Sequence, residues 1–213
     1  MKKLFCSVIA GIIITISITA YSDSIQSDIA HNIVRLHVIA NSDSNEDQQL
    51  KLMVRDRILS EGRNIFGNVT NTEETKSLVE ENLDKLEAAA RDEIKKQGYD
   101  YDVRLKTGKF DFPAKEYENI TLPAGEYYAL RIEIGRAEGK NWWCVMFPPL
   151  CFVDASVGVS DEKSMEVLKN NLSEESYTLI TQDTPSVEVR FKIVDFVQSS
   201  SKAIKTAFNR NYK

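Results

Sequence analysis

Histidine and cysteine are scarce in this 213-residue chain, at two and three residues. His31 lies in a polar stretch, so catalysis would have to start from His37. No second imidazole stands near it, and His37 with Asp43 and Asp47 makes a poor metal set; no metal or cofactor is expected. There is no Cys-x-x-Cys, no His-Glu-x-x-His, no nucleophile-elbow serine and no phosphate-cradling glycine loop. The common redox, metallopeptidase, hydrolase and nucleotide signatures are therefore missing. A Lys/Arg cluster is lacking too, and the net charge is −5. That argues against nucleic acid and against an anionic membrane surface as partners. No repeat, low-complexity tract or linker divides the chain, so one domain is expected.

The long uncharged run that is present sits at the N-terminus. Lys2 and Lys3 precede residues 4–20, which carry no charge, and Ala20-Tyr21-Ser22 fits the small-x-small cleavage pattern. Residues 1–22 read as a signal peptide cleaved after Ser22. The alternative is an uncleaved anchor, although Thr15, Ser17 and Thr19 dilute the segment and its length is at the short limit for a span. Cys6 lies at the start of that run, where a lipoprotein cysteine would stand at its end. Export leaves a domain of residues 23–213 with two cysteines, Cys144 and Cys151, which suits an oxidising compartment. Losing Lys2 and Lys3 moves the net charge from −5 to −7. No membrane contact beyond such an anchor is expected.

Residues 23–30 read as a polar, helical lead-in. Residues 33–40 are β-rich and almost continuously apolar, as in a strand buried on both faces, with Arg35 and His37 sharing one face. Asn41-Ser42-Asp43-Ser44 is a turn whose Ser44 caps a helix running to about Ser60, closed by Gly62. Thr70 and Glu73 have capping-box spacing for a second helix that stops at Gly98. Alternation predicts strands through Val103 and Leu105 and through Tyr128 to Ile134, with connections at residues 110–113 and 122–125. The strand ending at Ile134 should form a hairpin with the tryptophan stretch that follows. A helix capped by Ser160, a polar loop over 173–185, a strand over 187–193 and a brief amphipathic helix over 199–208 complete the chain. The fold class is α+β: a single exported domain, an antiparallel or mixed sheet and two main helices.

The densest stretch is residues 141–154, which holds Trp142, Trp143, Cys144, Pro148, Pro149 and Cys151. It reads as two short apolar strands joined by a Pro-Pro bend, because proline cannot donate to a ladder. The cysteines flank that bend; they form a disulfide or are buried core thiols. Trp142, Cys144, Val145 and Phe152 read as core, and the remaining aromatic surface as a docking face. With the turn residues Asn41, Ser42 and Asp43, the exposed member of the Trp142/Trp143 pair is the partner-binding candidate. The competing reading is a secreted hydrolase using His37 and Asp43; the bland one makes His37 a sheet residue and Asn41, Ser42 and Asp43 turn builders.

Several motifs together carry a resemblance. Arg35-Leu36-His37-Val38-Ile39-Ala40-Asn41-Ser42-Asp43-Ser44 with Asp47-Gln48 and Val54-Arg55-Asp56 is similar to the opening motif of the stage II sporulation protein R family. Leu122-Pro123-Ala124-Gly125-Glu126-Tyr127, the strand from Ala129 to Gly135, the block from Asn141 to Phe152 and the strand from Glu188 to Val194 resemble its later motifs. The likeness covers about residues 33–197 and leaves a variable tail at 198–213. It implies a signal made in the forespore and exported into the space between forespore and mother-cell membranes. It further implies, as partner, a membrane-embedded aspartic peptidase of the mother-cell septal membrane, the sigma-E factor-processing peptidase. On that expectation the chain is an activator and not an enzyme.

Overall fold

The computed structural model describes residues 2–66, 69–117, 120–150 and 162–181. In chain order the elements are α1 (Lys2–His31), β1 (Val34–Ile39), α2 (Asn45–Phe66), α3 (Thr72–Glu81), α4 (Leu83–Lys96) and β2 (Val103–Phe112). There follow β3 (Lys115–Tyr117), β4 (Ile120–Leu122), β5 (Gly125–Ile134), β6 (Asn141–Phe147), α5 (Glu162–Asn171) and α6 (Glu174–Thr181). The α+β class is as expected, and the sheet is mixed.

Every residue of β1 is buried, and the reason is its place in the sheet order β2-β5-β1-β6. It runs parallel to β5 and antiparallel to β6, so both edges are paired and both faces covered. On one face Leu36 and Val38 meet Leu130 and Ile132 of β5, Leu50, Val54 and Ile58 of α2, and Leu86, Ala90 and Ile94 of α4. On the other, Ala129 and Val145 pack with Ile29 of α1, Leu168 and Leu172 around α5, Ile180 of α6 and the β3–β4 hairpin through Ile120 and Leu122. Each such aliphatic side chain, fully buried, contributes about 1.5–3 kcal/mol.

The expected β5–β6 hairpin is overturned: β1 lies between the two strands. A strand apolar on both faces gains most from the middle of a sheet, and the connection over 135–140 crosses its end. Three boundaries also move. Gly62 is buried inside α2, which continues to Phe66 because Phe66 joins the core. The cap of α3 is Asn71, whose Oδ1 accepts from Glu74 N at 2.9 Å, one residue beyond the Thr70/Glu73 spacing. A break at Asn82 then splits the second helix into α3 and α4. Gly98 is the stop as read: its φ is +84°, and Tyr99 N reaches back to Ile94 O at 3.1 Å.

Residues 110–112 belong to β2 and do not form a connection, for β2 pairs with β5 along its whole length to Phe112↔Gly125. The loop expected at 173–185 contains α6, capped by Ser173, whose Oγ accepts from Ser176 N. β6 is one strand up to Phe147. A second strand after the Pro-Pro bend, Cys151, Phe152, Ser160, the strand at 187–193 and the helix at 199–208 all lie outside the described residues.

α1 changes character along its length. Ile12, Ile13, Ile14, Ile16, Ile18 and Tyr21 are exposed, whereas Ile25 packs on the core and Ile29 is fully buried. Asp28 also accepts from Ser173 N and Oγ at the start of α6. Tertiary packing thus begins just past Ser22.

Candidate functional site

The turn after β1 and the loop from β5 to β6 are built as one unit. Ser44 caps α2, its Oγ accepting from Asp47 N at 3.2 Å. The Asp47 carboxylate turns back to accept from Asn41 Nδ2 at 2.8 Å and from Ser42 Oγ. Asn41 Oδ1 accepts from Arg136 N at 3.0 Å, and the Asn41 and Ala40 carbonyls accept from Glu138 N and Gly139 N. Asp43 Oδ1 accepts from Lys140 N at 2.7 Å. Lys51 Nζ, itself buried, donates to the Lys140 carbonyl.

Glycine permits this closeness at two places. Gly135 has a φ of +57°, and a Cβ there would meet the Asn41 side chain; a Cβ at Gly139 would strike the Ser42 carbonyl. Burial pushes the Asp47 carboxyl up, but the hydrogen bonds from Ser42, Asn41 and Tyr101 win, and it lies below the ordinary value. The polarity of residues 41–44 is therefore largely consumed in holding the turn. Asn41 is buried, Ser42 is half-buried and Asp43 is exposed. Of the three, only Asp43 is exposed, and one of its carboxylate oxygens is taken by Lys140 N.

The tryptophans fall on opposite faces, as alternation along a strand requires. Trp142 packs on the helical side with Arg55 Cζ 4.2 Å from its ring centroid. Trp143 faces the other way and stacks on His37, with centroids 3.7 Å apart and planes at 22°. Phe112 closes against Trp143 at 4.8 Å. Both indoles are half-buried, so the pair does not divide into one exposed and one buried member. Each covers one rim of the sheet, and each keeps part of its surface in water.

The outer face holds two unusual basic groups. Arg35 is fully buried. Its Nη2 donates to Tyr117 Oη at 2.7 Å and its Nε to the Cys144 carbonyl at 3.1 Å. The rings of Phe112, Tyr127 and Tyr117 lie 4.5, 5.1 and 5.7 Å from Cζ, the arrangement of a cation–π box. Nη1 has no hydrogen-bond partner among the described residues. Burial pushes the guanidinium pKa down, against the opposing pull of Tyr117 and Tyr127.

His37, 5% exposed, pairs through Nε2 with Asn141 Oδ1 at 2.8 Å. Burial lowers its pKa to about 4, and the Asn141 hydrogen bond only partly opposes that. The imidazole is thus neutral near pH 7. No hydrogen bond joins His37 to Asp43; their partners are Asn141 and Lys140 N. Among the described residues, His37 and Asp43 are not brought into the nucleophile–base–acid geometry a hydrolase needs. Among the described residues no group of three or more His, Cys, Asp or Glu side chains is placed to hold a metal.

Cys144 lies on β6 opposite Leu36, and Cys151 is outside the described residues. Sequence reasoning singled out the turn and the tryptophan pair as partner-binding candidates and weighed His37 for catalysis. It missed Tyr117, Phe112 and Tyr127, because nothing local in their sequence says that three rings from different elements converge on Arg35.

The profile of the family "Stage II sporulation protein R (spore_II_R)" matches residues 30–157, which contain β1, the stitched turn, the aromatic box and β6. A "Stage II sporulation protein R" from Bacillus subtilis (strain 168) is 39% identical over 143 residues. That alignment covers 66% of this chain and 64% of the relative's length. No solved structure matches. A family profile that matches more than half of the chain and a relative of this identity together decide the matter: the chain belongs to the stage II sporulation protein R family.

Proposed function

We propose that this chain is an exported intercellular signal of endospore formation, which activates a membrane-embedded aspartic peptidase of the mother-cell septal membrane. That peptidase in turn processes the precursor of the early mother-cell sigma factor, sigma-E. The observation that carries the reading is the family match over residues 30–157. Three features are compatible with a ligand acting by contact. His37 is neutral and packed under Trp143, Asp43 is committed to Lys140, and no hydrolytic geometry is formed from them. Under this reading the chain is not an enzyme, and its working site is the space between the two membranes. The uncharged start of α1 serves export, and a Cys144–Cys151 disulfide forms there.

An activator must bind the active state of its receptor better than the inactive one, or it shifts no equilibrium. Aspartic peptidases work through two aspartates brought together, so favouring a peptidase dimer would meet that requirement. The test is reconstitution of the purified exported protein with the peptidase and the precursor substrate. Cleavage should depend on the added protein, and His37→Gln, which keeps an amide toward Asn141, should still activate. Precursor processing indifferent to the protein defeats the proposal. Turnover of a wall substrate that is lost in His37→Gln would favour the hydrolase instead.

A further inference from the structure

The chain is acidic overall, yet one patch reverses that sign. Across the outer face of the sheet, Lys106 is registered with Arg131, Arg131 with His37 and His37 with Trp143. One step along, Arg104 stands opposite Glu133. Glu133 is buried and is the shared carboxylate of three cations: Lys106 Nζ at 2.9 Å, Arg131 Nε at 3.1 Å and Arg104 Nε at 3.9 Å. Among the described residues, three positive groups against one carboxylate leave the patch in excess of positive charge. The side chains of Arg104 and Lys106 are 63% and 51% exposed. The half-buried Trp143 extends the same row with an aromatic surface.

A fixed carboxylate beneath exposed cations holds those cations in position without neutralising them. That suits recognition of further carboxylates, and an adjacent indole supplies the apolar contact that interfaces favour. Arg131 is braced from the side by Phe110, whose ring centroid lies 5.3 Å from its Cζ. By contrast, the exposed polar turn at 41–44 spends its groups internally.

We propose that Arg104, Lys106 and Arg131, gathered round Glu133 beside Trp143, form the docking surface for an acidic, carboxylate-bearing segment of the partner protein. The inference rests on the activator reading above and names the surface that reading lacks. The complementary charge accelerates encounter and fixes orientation, and its effect weakens as salt screens it.

The experiment compares three forms of the exported protein in the reconstituted peptidase assay: wild type, Arg104→Glu/Lys106→Glu and Lys95→Glu/Lys96→Glu. The last pair is exposed on α4, which packs on the opposite face, and makes the same change in net charge. The wild type should need more protein for half-activation as salt rises from about 50 to about 200 mM. The Arg104/Lys106 reversal should raise the half-activating concentration about tenfold or more and flatten the salt dependence. Because it also takes partners from buried Glu133, Arg104→Gln/Lys106→Gln, which adds no carboxylate, is assayed beside it below the melting temperature of both. The Gln pair should shift potency and salt dependence in the same direction, and full potency of the folded Gln pair overturns the inference. The α4 reversal should behave as wild type. Equal potency of all three forms overturns the inference, and so does equal weakening by both reversals, which would reflect net charge alone. Binding of the wild type to phosphatidylglycerol vesicles without peptidase, lost in the Arg104/Lys106 reversal, would assign the patch to lipid and also overturn it. A wild type that activates nothing removes the activator reading itself, and the docking proposal with it.

Discussion

Taking one oxygen from Tyr117 should reveal how the buried guanidinium of Arg35 is tolerated. Tyr117 Oη accepts from Nη2 at 2.7 Å, and the only other hydrogen bond made by the Arg35 guanidinium among the described residues is from Nε to Cys144 O at 3.1 Å. Nη1 is already without a partner among the described residues. Tyr117→Phe keeps the ring beside Cζ and removes only the acceptor, so a second end of a buried charged group loses its partner. A hydrogen bond to a charged group is worth about 1.5–3 kcal/mol, and we expect a loss of about 2 kcal/mol. For a domain of this size that lowers Tm by about 4–8 °C. Urea unfolding gives the free energy. Coupling is the sharper readout: once Arg35→Met has removed the donor, Tyr117→Phe should cost under about 0.5 kcal/mol, leaving an interaction energy of about 1.5 kcal/mol or more. If Tyr117→Phe costs the same with and without Arg35, the hydroxyl does not support the guanidinium and the box is held by ring packing alone.

Four further outcomes follow. His37 has a folded pKa of about 4 against an ordinary 6.5; the unfolded chain binds the proton more readily in that interval, so stability should fall as pH drops from 6.5 toward 4. From pH 6.5 to about pH 5, above most of the carboxylate range, denaturant titration should show a loss of about 2 kcal/mol, largely absent in His37→Gln. Asp47→Ala should cost about 2–4 kcal/mol by orphaning Asn41 and Ser42, whereas Asp43→Ala, which frees only the Lys140 amide, should cost about 1 kcal/mol or less in the same titration. N-terminal sequencing of the exported species should begin at Asp23, and a product that keeps residues 4–20 would identify an anchor. Non-reduced peptide mapping should recover Cys144 linked to Cys151, a short-loop bridge worth about 2–3 kcal/mol, and two free thiols would refute it.

How much was legible in the sequence depended on whether a residue's partners were local. Burial of β1 on both faces could be read from its unbroken apolar run, and the Ser44 cap and the Gly98 stop from signals within a few residues. The place of β1 between β5 and β6 could not. Adjacent antiparallel-looking strands favour a hairpin by proximity, and only the competition for the central position of the sheet puts a third strand between them. Gly62 looked like a stop because glycine is a poor helix former; the burial of Phe66 one turn later outweighs about 1 kcal/mol of propensity. Ser173 with Glu174 and Glu175 was a helix start hidden in a stretch whose polarity suggested a loop.

The turn at 41–44 shows the same limit for function. Its polarity suggested a surface in search of a partner, but Asp47, Arg136, Glu138, Gly139 and Lys140 already use Asn41, Ser42 and Asp43. A turn that serves only the fold and a turn that binds a partner have the same composition; what separates them is whether the hydrogen-bonding capacity is spent inside the molecule. Here it is spent, and what remains unspent lies on the outer face of the sheet. Three cations there share one carboxylate, Arg35 has a nitrogen with no partner among the described residues inside an aromatic box, and Trp143 is half in water. Such imbalances carry a standing cost in a folded domain, since buried charge and exposed aromatic surface are both unfavourable. Both faces carry packed elements and both indoles are half in water, but the shared carboxylate with its exposed cations lies on one face only, which is why an interaction surface is sought on the side that Trp143 faces and not on the side of Trp142.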